Sequence, residues 1–474
     1  MAKRNELPAL LLSLLVTLGL LAGGAWLLRD RLSLGDLTGD PAGPGTAGQA
    51  TRTAALTDRL SLGERVLTPG VAIEAKQSGT EALAAGRYAE AIDSFEAALA
   101  QRRNDPETRI YLNNARIGEE TAYMVAIAAP LATLPNPALE LLRGVAQAQQ
   151  AINDGGGIGG VPLRVLIVSD DNDPAIADAV ANALVANPDV LAVVGHYSSS
   201  TTLGATETYE AGQLVMISPV STAVSISQAG DYIFRTVPSD RLAAATLARH
   251  FQAEVGNQRA AVFYSSASTY SQSLRSEFTT ALLSDGGGVV TEFDLAQPNF
   301  DPNQALQQAR QQGAEALILV NDVDTLDLAL QVISVNRGQI PVLGGDDLYN
   351  PKVLQIGGEN ARGMVVSVPW HVLSHEGSDF VETSRQLWGG DVSWRTAMAY
   401  DAVQAMATAI AQSPTRPGIQ QALSQPDFEV AGADRSVKFF ANGDRNQATQ
   451  LVYVVPGERS GFGYDYIPID ASLP

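Results

Sequence analysis

The 474-residue sequence predicts an α/β protein, two doubly wound Rossmann-like lobes preceded by a transmembrane helix and a short α-helical hairpin. Three observations carry that expectation. From Tyr123 almost to the end, short β-rich runs alternate with helical patterns, which is how parallel sheets covered by helices on both faces read. Those runs fall into two successive series, one for each lobe. Ahead of them stand an uncharged apolar run and, after a Gly/Pro-rich stretch, a segment with helical periodicity.

Taken in chain order, Leu7 to Leu28 carries no charge and, at about 1.5 Å per helical residue, is long enough for a bilayer core of about 30 Å. Gly23, Gly24 and Ala25 could form a signal-peptidase site, but Trp26, Leu27 and Leu28 continue the apolar run past it, which favours an uncleaved anchor. Lys3 and Arg4 on the short N-terminus favour export of the rest of the chain. Thr38 to Thr53, rich in Gly, Pro, Ala and Thr, reads as a flexible tether. From Ala72 to Gly118 the period is helical, with Gly86, Tyr88, Ala91, Phe95 and Ala98 in a spacing that resembles one tetratricopeptide repeat, and Pro106 beyond. One repeat is too few for a free solenoid, so a hairpin docked on its neighbour is expected. Strands are then expected at Tyr123–Ala129, Leu163–Ser169, Val190–Gly195 and Leu214–Ile217. A second set is expected at Ala260–Tyr264, Val289–Phe293, Ala316–Val320 and Pro341–Leu343. Sheets of this kind bind ligands beyond the carboxyl ends of their strands, which puts the cleft between the lobes.

Composition limits the chemistry. Lys+Arg 31 against Asp+Glu 51 gives a net charge of −20, which disfavours phosphate backbones and so nucleic acid. The chain has no cysteine, so disulfides, thiolate metal sites, cysteine nucleophiles and a lipid-bearing cysteine are excluded. Gly155-x-Gly157-x2-Gly160 follows a helix and precedes a strand, the reverse of a dinucleotide-binding context, and reads as a turn. His371 and His375 stand four apart, but Pro369 and Gly377 bound a segment too short for a zinc-binding helix. Asp173-Pro174 reads as a helix N-cap with proline at the first helical position. There is no nucleophile elbow and no P-loop. No enzymatic activity, metal or cofactor is expected.

The informative segments are Gly195-His196-Tyr197-Ser198-Ser199-Ser200-Thr201, a strand end entering a hydroxyl-rich helix start, and Ile217-Ser218-Pro219-Val220-Ser221-Thr222 at the next strand end. Hydroxyls and free backbone amides at such a terminus suit a carboxylate. One such loop alone reads better as capping and turn formation; two at neighbouring strand ends point to a site. Together with Ala151-Ile152-Asn153, Gly159-Gly160, Asp170-Asp171-x-Asp173-Pro174 and Phe234-Arg235-Thr236, they make residues 121–467 similar to the type I periplasmic binding proteins of the branched-chain amino acid (leucine/isoleucine/valine) ABC transporter family.

That resemblance implies two lobes joined by crossings near Val237, Val368 and Leu451, with an amino acid held between them. The residues that match its ligand positions are Ser198, Val220 and Thr222 on the first lobe and Tyr270 and Asp346 on the second, with Asp346 facing the ammonium; Ser199 and Asp322 complete the expected site. Pro130 to Pro137 and Asn321-Asp322-Val323 depart from the family pattern and imply a different, more polar side-chain pocket. The resulting division is an anchor or signal at 1–31, a linker at 32–70, a tetratricopeptide-like segment at 71–120 and a binding domain at 121–474. Within that domain lobe I is about 121–237 and 369–450, and lobe II about 238–368 and 451–470. The expected function is capture of an amino acid or similar small polar solute, outside the cytoplasm at the cell membrane, for an ABC transporter permease. The alternative is a regulatory or protein-interaction receptor, since a helical-repeat segment on this fold also resembles the lipoprotein activators of peptidoglycan synthases.

Overall fold

The computed structural model describes residues 56–70, 72–254, 259–284, 286–433 and 435–469. The apolar run Leu7–Leu28 lies outside them. Among the described residues no helix is long and apolar enough to cross a membrane.

The described chain opens with β1 (Leu60–Ser61) and three helices, α1 (Glu74–Ala84), α2 (Tyr88–Gln101) and α3 (Pro106–Ile117). Two expectations are corrected here. The linker placed at 32–70 ends early, because β1 pairs antiparallel with the strand at Leu163–Ser169, Leu60 opposite Val168. The hairpin has a third helix, because Pro106 opens α3 instead of closing the pair: Asp105 accepts a hydrogen bond from the Thr108 amide and proline occupies the first turn. Phe95 sits against Gly79, where a Cβ would lie 2.5 Å from its ring, while Tyr88 stays half-exposed. Buried Lys76 joins the unit, its Nζ 2.9 Å from Asp105 and 2.7 Å from Glu107. Glu107 also accepts from the Leu67 amide at 2.6 Å, so the segment before α1 is clamped to the helices. Asn114 of α3 donates to the Val165 carbonyl at 2.8 Å and accepts from the Val165 amide at 3.1 Å, fixing the unit on the first lobe.

Lobe I continues with β2 (Tyr123–Ala129), α4 (Pro135–Asp154), β3 (Leu163–Ser169), α5 (Pro174–Ala186), β4 (Val190–Val194), α6 (Ser199–Ala211), β5 (Val215–Ser218) and β6 (Ile233–Arg235). The sheet order is β1-β3-β2-β4-β5-β6, parallel except for β1. Asp173 caps α5 by accepting from the Ala175 and Ile176 amides. Pro135 and Pro137, expected in a loop, are in the first turn of α4, where a missing N–H costs nothing.

Lobe II comprises α7 (Asp240–Glu254), β7 (Arg259–Tyr264), α8 (Thr269–Ser284), β8 (Gly288–Asp294), α9 (Pro302–Gln311), β9 (Ala316–Val320), α10 (Leu326–Asn336), β10 (Val342–Gly344) and β11 (Val365–Val368). The chain then returns to lobe I with α11 (Asp379–Trp388), α12 (Trp394–Gln412) and α13 (Arg416–Leu423), and forms a small β12–β13 pair at Val430–Ala431 and Ser436–Val437. It ends on lobe II with β14 (Gln450–Pro456) and β15 (Tyr464–Pro468), giving the order β15-β14-β11-β10-β9-β7-β8. The central strands of both lobes are buried on two faces, as the continuous Val/Ile/Leu/Ala runs require. Helix α12 lies against α4 at Gly144, where a Cβ would be 2.2 Å from the Thr396 carbonyl oxygen.

Candidate functional site

On lobe I the site is built where β4 and β5 end. Gly195 has φ +136°, and a Cβ there would meet the Ala128 carbonyl oxygen at 2.5 Å, so the chain turns tightly off β4 only with glycine. The next residue, His196, is fully buried, with Nδ1 2.7 Å from Asp170 and Nε2 3.0 Å from the Tyr209 hydroxyl. This anchors the loop from below. Ser198 caps α6 by accepting from the Thr201 amide at 3.2 Å. Hydroxyls then stitch the two loops: Ser199 accepts from the Ala223 amide at 3.3 Å, and Ser218 donates to the His196 carbonyl at 3.1 Å. Capping and stitching therefore occupy most of the hydroxyls that the sequence singles out. Thr222 differs: its Oγ1 is buried and makes no hydrogen bond within 3.5 Å, its polar neighbour being the buried Asp240 carboxyl.

On lobe II, Tyr270 at the start of α8 donates its hydroxyl hydrogen to Asp346 at 2.6 Å. Gly345 makes room, since a Cβ there would lie 2.1 Å from the Tyr270 oxygen. Asp346 and Asp347 follow β10, and burial pushes both carboxyls up, out of the usual carboxylate range. Asp240, at the start of α7, is likewise buried and pushed up to about 6. Asp322 is half-buried and turned partly to local work, accepting from the Thr325 amide at 2.9 Å and its hydroxyl at 2.6 Å.

The structure brings all seven residues expected at the site, Ser198, Ser199, Val220, Thr222, Tyr270, Asp322 and Asp346, to the wall of one cavity of about 40 Å³ between the lobes. Tyr197, Ser268, Val323 and Asp347 complete the wall. Tyr197, Val323 and Asp347 also line a larger outer cavity of about 550 Å³. Across the boundary runs an ion pair absent from the sequence reading: Arg395 of α12, on lobe I, donates to Asp347 on lobe II at 3.0 Å. Its guanidinium is 3.6 Å from Glu140 and lies over the Trp394 ring at 4.4 Å. The signal available was a lone arginine just after a Ser cap, at the head of an otherwise apolar helix. Among the described residues no cluster of His, Cys, Asp and Glu could hold a metal ion.

Two α/β lobes, three crossings and a polar cavity at the strand ends are the architecture of a protein that binds a small solute. The sequence profile described as "Periplasmic binding protein" matches residues 132–461, and the chain belongs to that family of solute-binding proteins. It is 26% identical over 296 residues to the leucine-specific-binding protein of Salmonella typhimurium, covering 61% of this chain and 78% of that protein. Its fold matches the ABC transporter substrate-binding protein from Desulfitobacterium hafniense in complex with Leu. That match has a TM-score of 0.62 at 23% identity, over 73% of this chain and 100% of the other. It also matches a solute binding protein of an ABC transporter from Rhodopseudomonas palustris in complex with 3,4-dihydroxy benzoic acid. There the TM-score is 0.64 at 16% identity, over 73% and 96% of the two chains.

Proposed function

We propose that this chain is the extracytoplasmic binding component of an ABC transporter and captures an amino acid or a similar small polar solute between its lobes. One observation carries the reading. A buried hydroxyl that makes no close hydrogen bond, on Thr222, shares a cavity with a half-buried carboxyl, on Asp346, of the opposite lobe. Unpaired polar groups held out of water are costly, and a zwitterion satisfies both ends at once: hydroxyls and α6 amides take its carboxylate, Asp346 takes its ammonium. In this reading Ser198 and Ser199 complete the first end, while at the second the Val220 carbonyl accepts from the ammonium and Tyr270 orients Asp346. The apolar run Leu7–Leu28 holds the protein at the membrane surface, facing a permease. The helices α1–α3 act as a tetratricopeptide-like spacer between the two.

The alternative, a regulatory or protein-interaction receptor, draws support from the firm docking of α1–α3 on lobe I. Calorimetric titration of the full-length protein with the common L-amino acids separates the two. Binding that Asp346→Ala weakens about thirty-fold or more, from a loss of about 2–5 kcal/mol, is the expected result. No heat with any amino acid leaves the receptor reading.

A further inference from the structure

This inference rests on the amino-acid reading and names the class of amino acid. The inner cavity of about 40 Å³ has room for roughly three water molecules, about the size of an α-amino-acid head group. A side chain of leucine size must therefore leave it past Tyr197 and Val323 into the outer cavity. That outer wall is not built for a hydrocarbon. Three cations, Arg143, Lys352 and Arg395, and three carboxylates, Glu140, Asp327 and Asp347, line it.

Those charges balance in number, but not every hydrogen-bond donor among them is met. Lys352, half-buried, and Asp327, exposed, pair with each other. Arg143 is half-buried, and its Nε donates to a neutral group, the Asn104 side-chain oxygen, at 2.8 Å. Arg395 is 5% exposed, and it lies at the boundary with the inner cavity, where Asp347 is common to both walls. A guanidinium has five N–H donors; Asp347 takes one at hydrogen-bond distance, while Glu140 at 3.6 Å is beyond it. The Arg395 Nε is buried with no partner at all. A buried, unmet guanidinium edge is complementary to a carboxylate, which can bridge Nε and Nη together.

We propose that the ligand is an amino acid with a second carboxylate on its side chain, which Arg395 receives in the outer cavity, and that Arg395 sets specificity against aliphatic amino acids. The α-carboxylate meets the Thr222 end, the ammonium meets Asp346, and the distal carboxylate meets Arg395, so each formal charge of the ligand has its own partner. Branched aliphatic side chains would instead desolvate Arg395 and Asp347 without replacing their hydrogen bonds.

The test is calorimetric titration of the full-length protein with L-aspartate, L-glutamate and L-2-aminoadipate beside L-asparagine, L-glutamine and L-leucine. At least one dicarboxylic amino acid should bind ten-fold or more tightly than its amide and than leucine. Arg395→Lys, which keeps the charge and removes the planar fork, should lose most of that preference. Asp346→Asn should weaken every ligand. If leucine or an amide binds as tightly as every dicarboxylic acid, this proposal is overturned and the amino-acid reading stands. If no amino acid binds, both fail together. The unmodified protein decides between these outcomes even where Arg395→Lys fails to fold.

Discussion

Asp346 and Asp347 are neighbours in sequence with different partners: Tyr270 holds the first within lobe II, and Arg395 holds the second across the cleft. Their raised pKa values and that of Asp240 have a readable consequence. An unfolded aspartate ionises near pH 3.9, so between about pH 4 and 7 the ligand-free folded state holds more protons than the unfolded one. Stability of the ligand-free protein should then fall as pH rises through that window, and melting curves of Asp346→Asn should show a shallower fall than the unmodified protein. Binding an ammonium favours ionised Asp346, so affinity should weaken on acidification below about pH 6, with proton release visible as buffer-dependent heat. Thr222→Val removes one donor while the α6 amides remain, so it should cost about 1 kcal/mol of binding, less than Asp346→Ala. At this scale the site was legible where chemistry is local. Hydroxyl-rich strand ends and Gly-Gly-Asp-Asp announce themselves, whereas Arg395 meets Asp347 only through the apposition of the lobes, which no spacing along the chain encodes.

The buried central strands were legible because burial on both faces writes them as unbroken β-branched runs; β2, β3 and β9 begin and end where the sequence places them. The edge strands were not. β1 has two residues and no hydrophobic run of its own, and β14 and β15 take their place by pairing with distant partners, Tyr453 opposite Val365 and Val452 opposite Pro468. The packing of α4 on α12 gives a sharp test of element geometry. Gly144→Ala would push a methyl group into the α12 backbone, not into a movable side chain. It should destabilise lobe I by about 3 kcal/mol or more, seen as a lower denaturation midpoint. Ala151→Leu, at an exposed position near the end of α4, would not. In α1–α3, Lys76→Met leaves Asp105 and Glu107 buried without their cation. It should release that unit to proteolysis at a loss of about 3–5 kcal/mol, with the two-lobed domain intact.

Across the whole molecule the lobes are tied by Arg395 inside the cleft and by a second ionic group outside it, where Arg459 of lobe II meets Asp391 at 2.5 Å and Glu376 at 3.0 Å. The outer pairs are partly exposed and each is worth about 1 kcal/mol or less. They bias closure without locking it. Arg459→Ala should therefore enlarge the ligand-free radius of gyration in small-angle scattering, and ligand should restore the compact form; an unchanged radius in both states would rule out hinge motion. The path of the chain through these lobes has a practical reach. Its first described strand is stitched to the edge of the lobe I sheet, and its last, β15, forms the edge of the lobe II sheet. The two ends of the described chain thus ride on different moving bodies. A donor dye beside β1 and an acceptor beside β15 would convert opening and closing into a change of colour, making the protein an optical gauge of solute concentration with no new moving part.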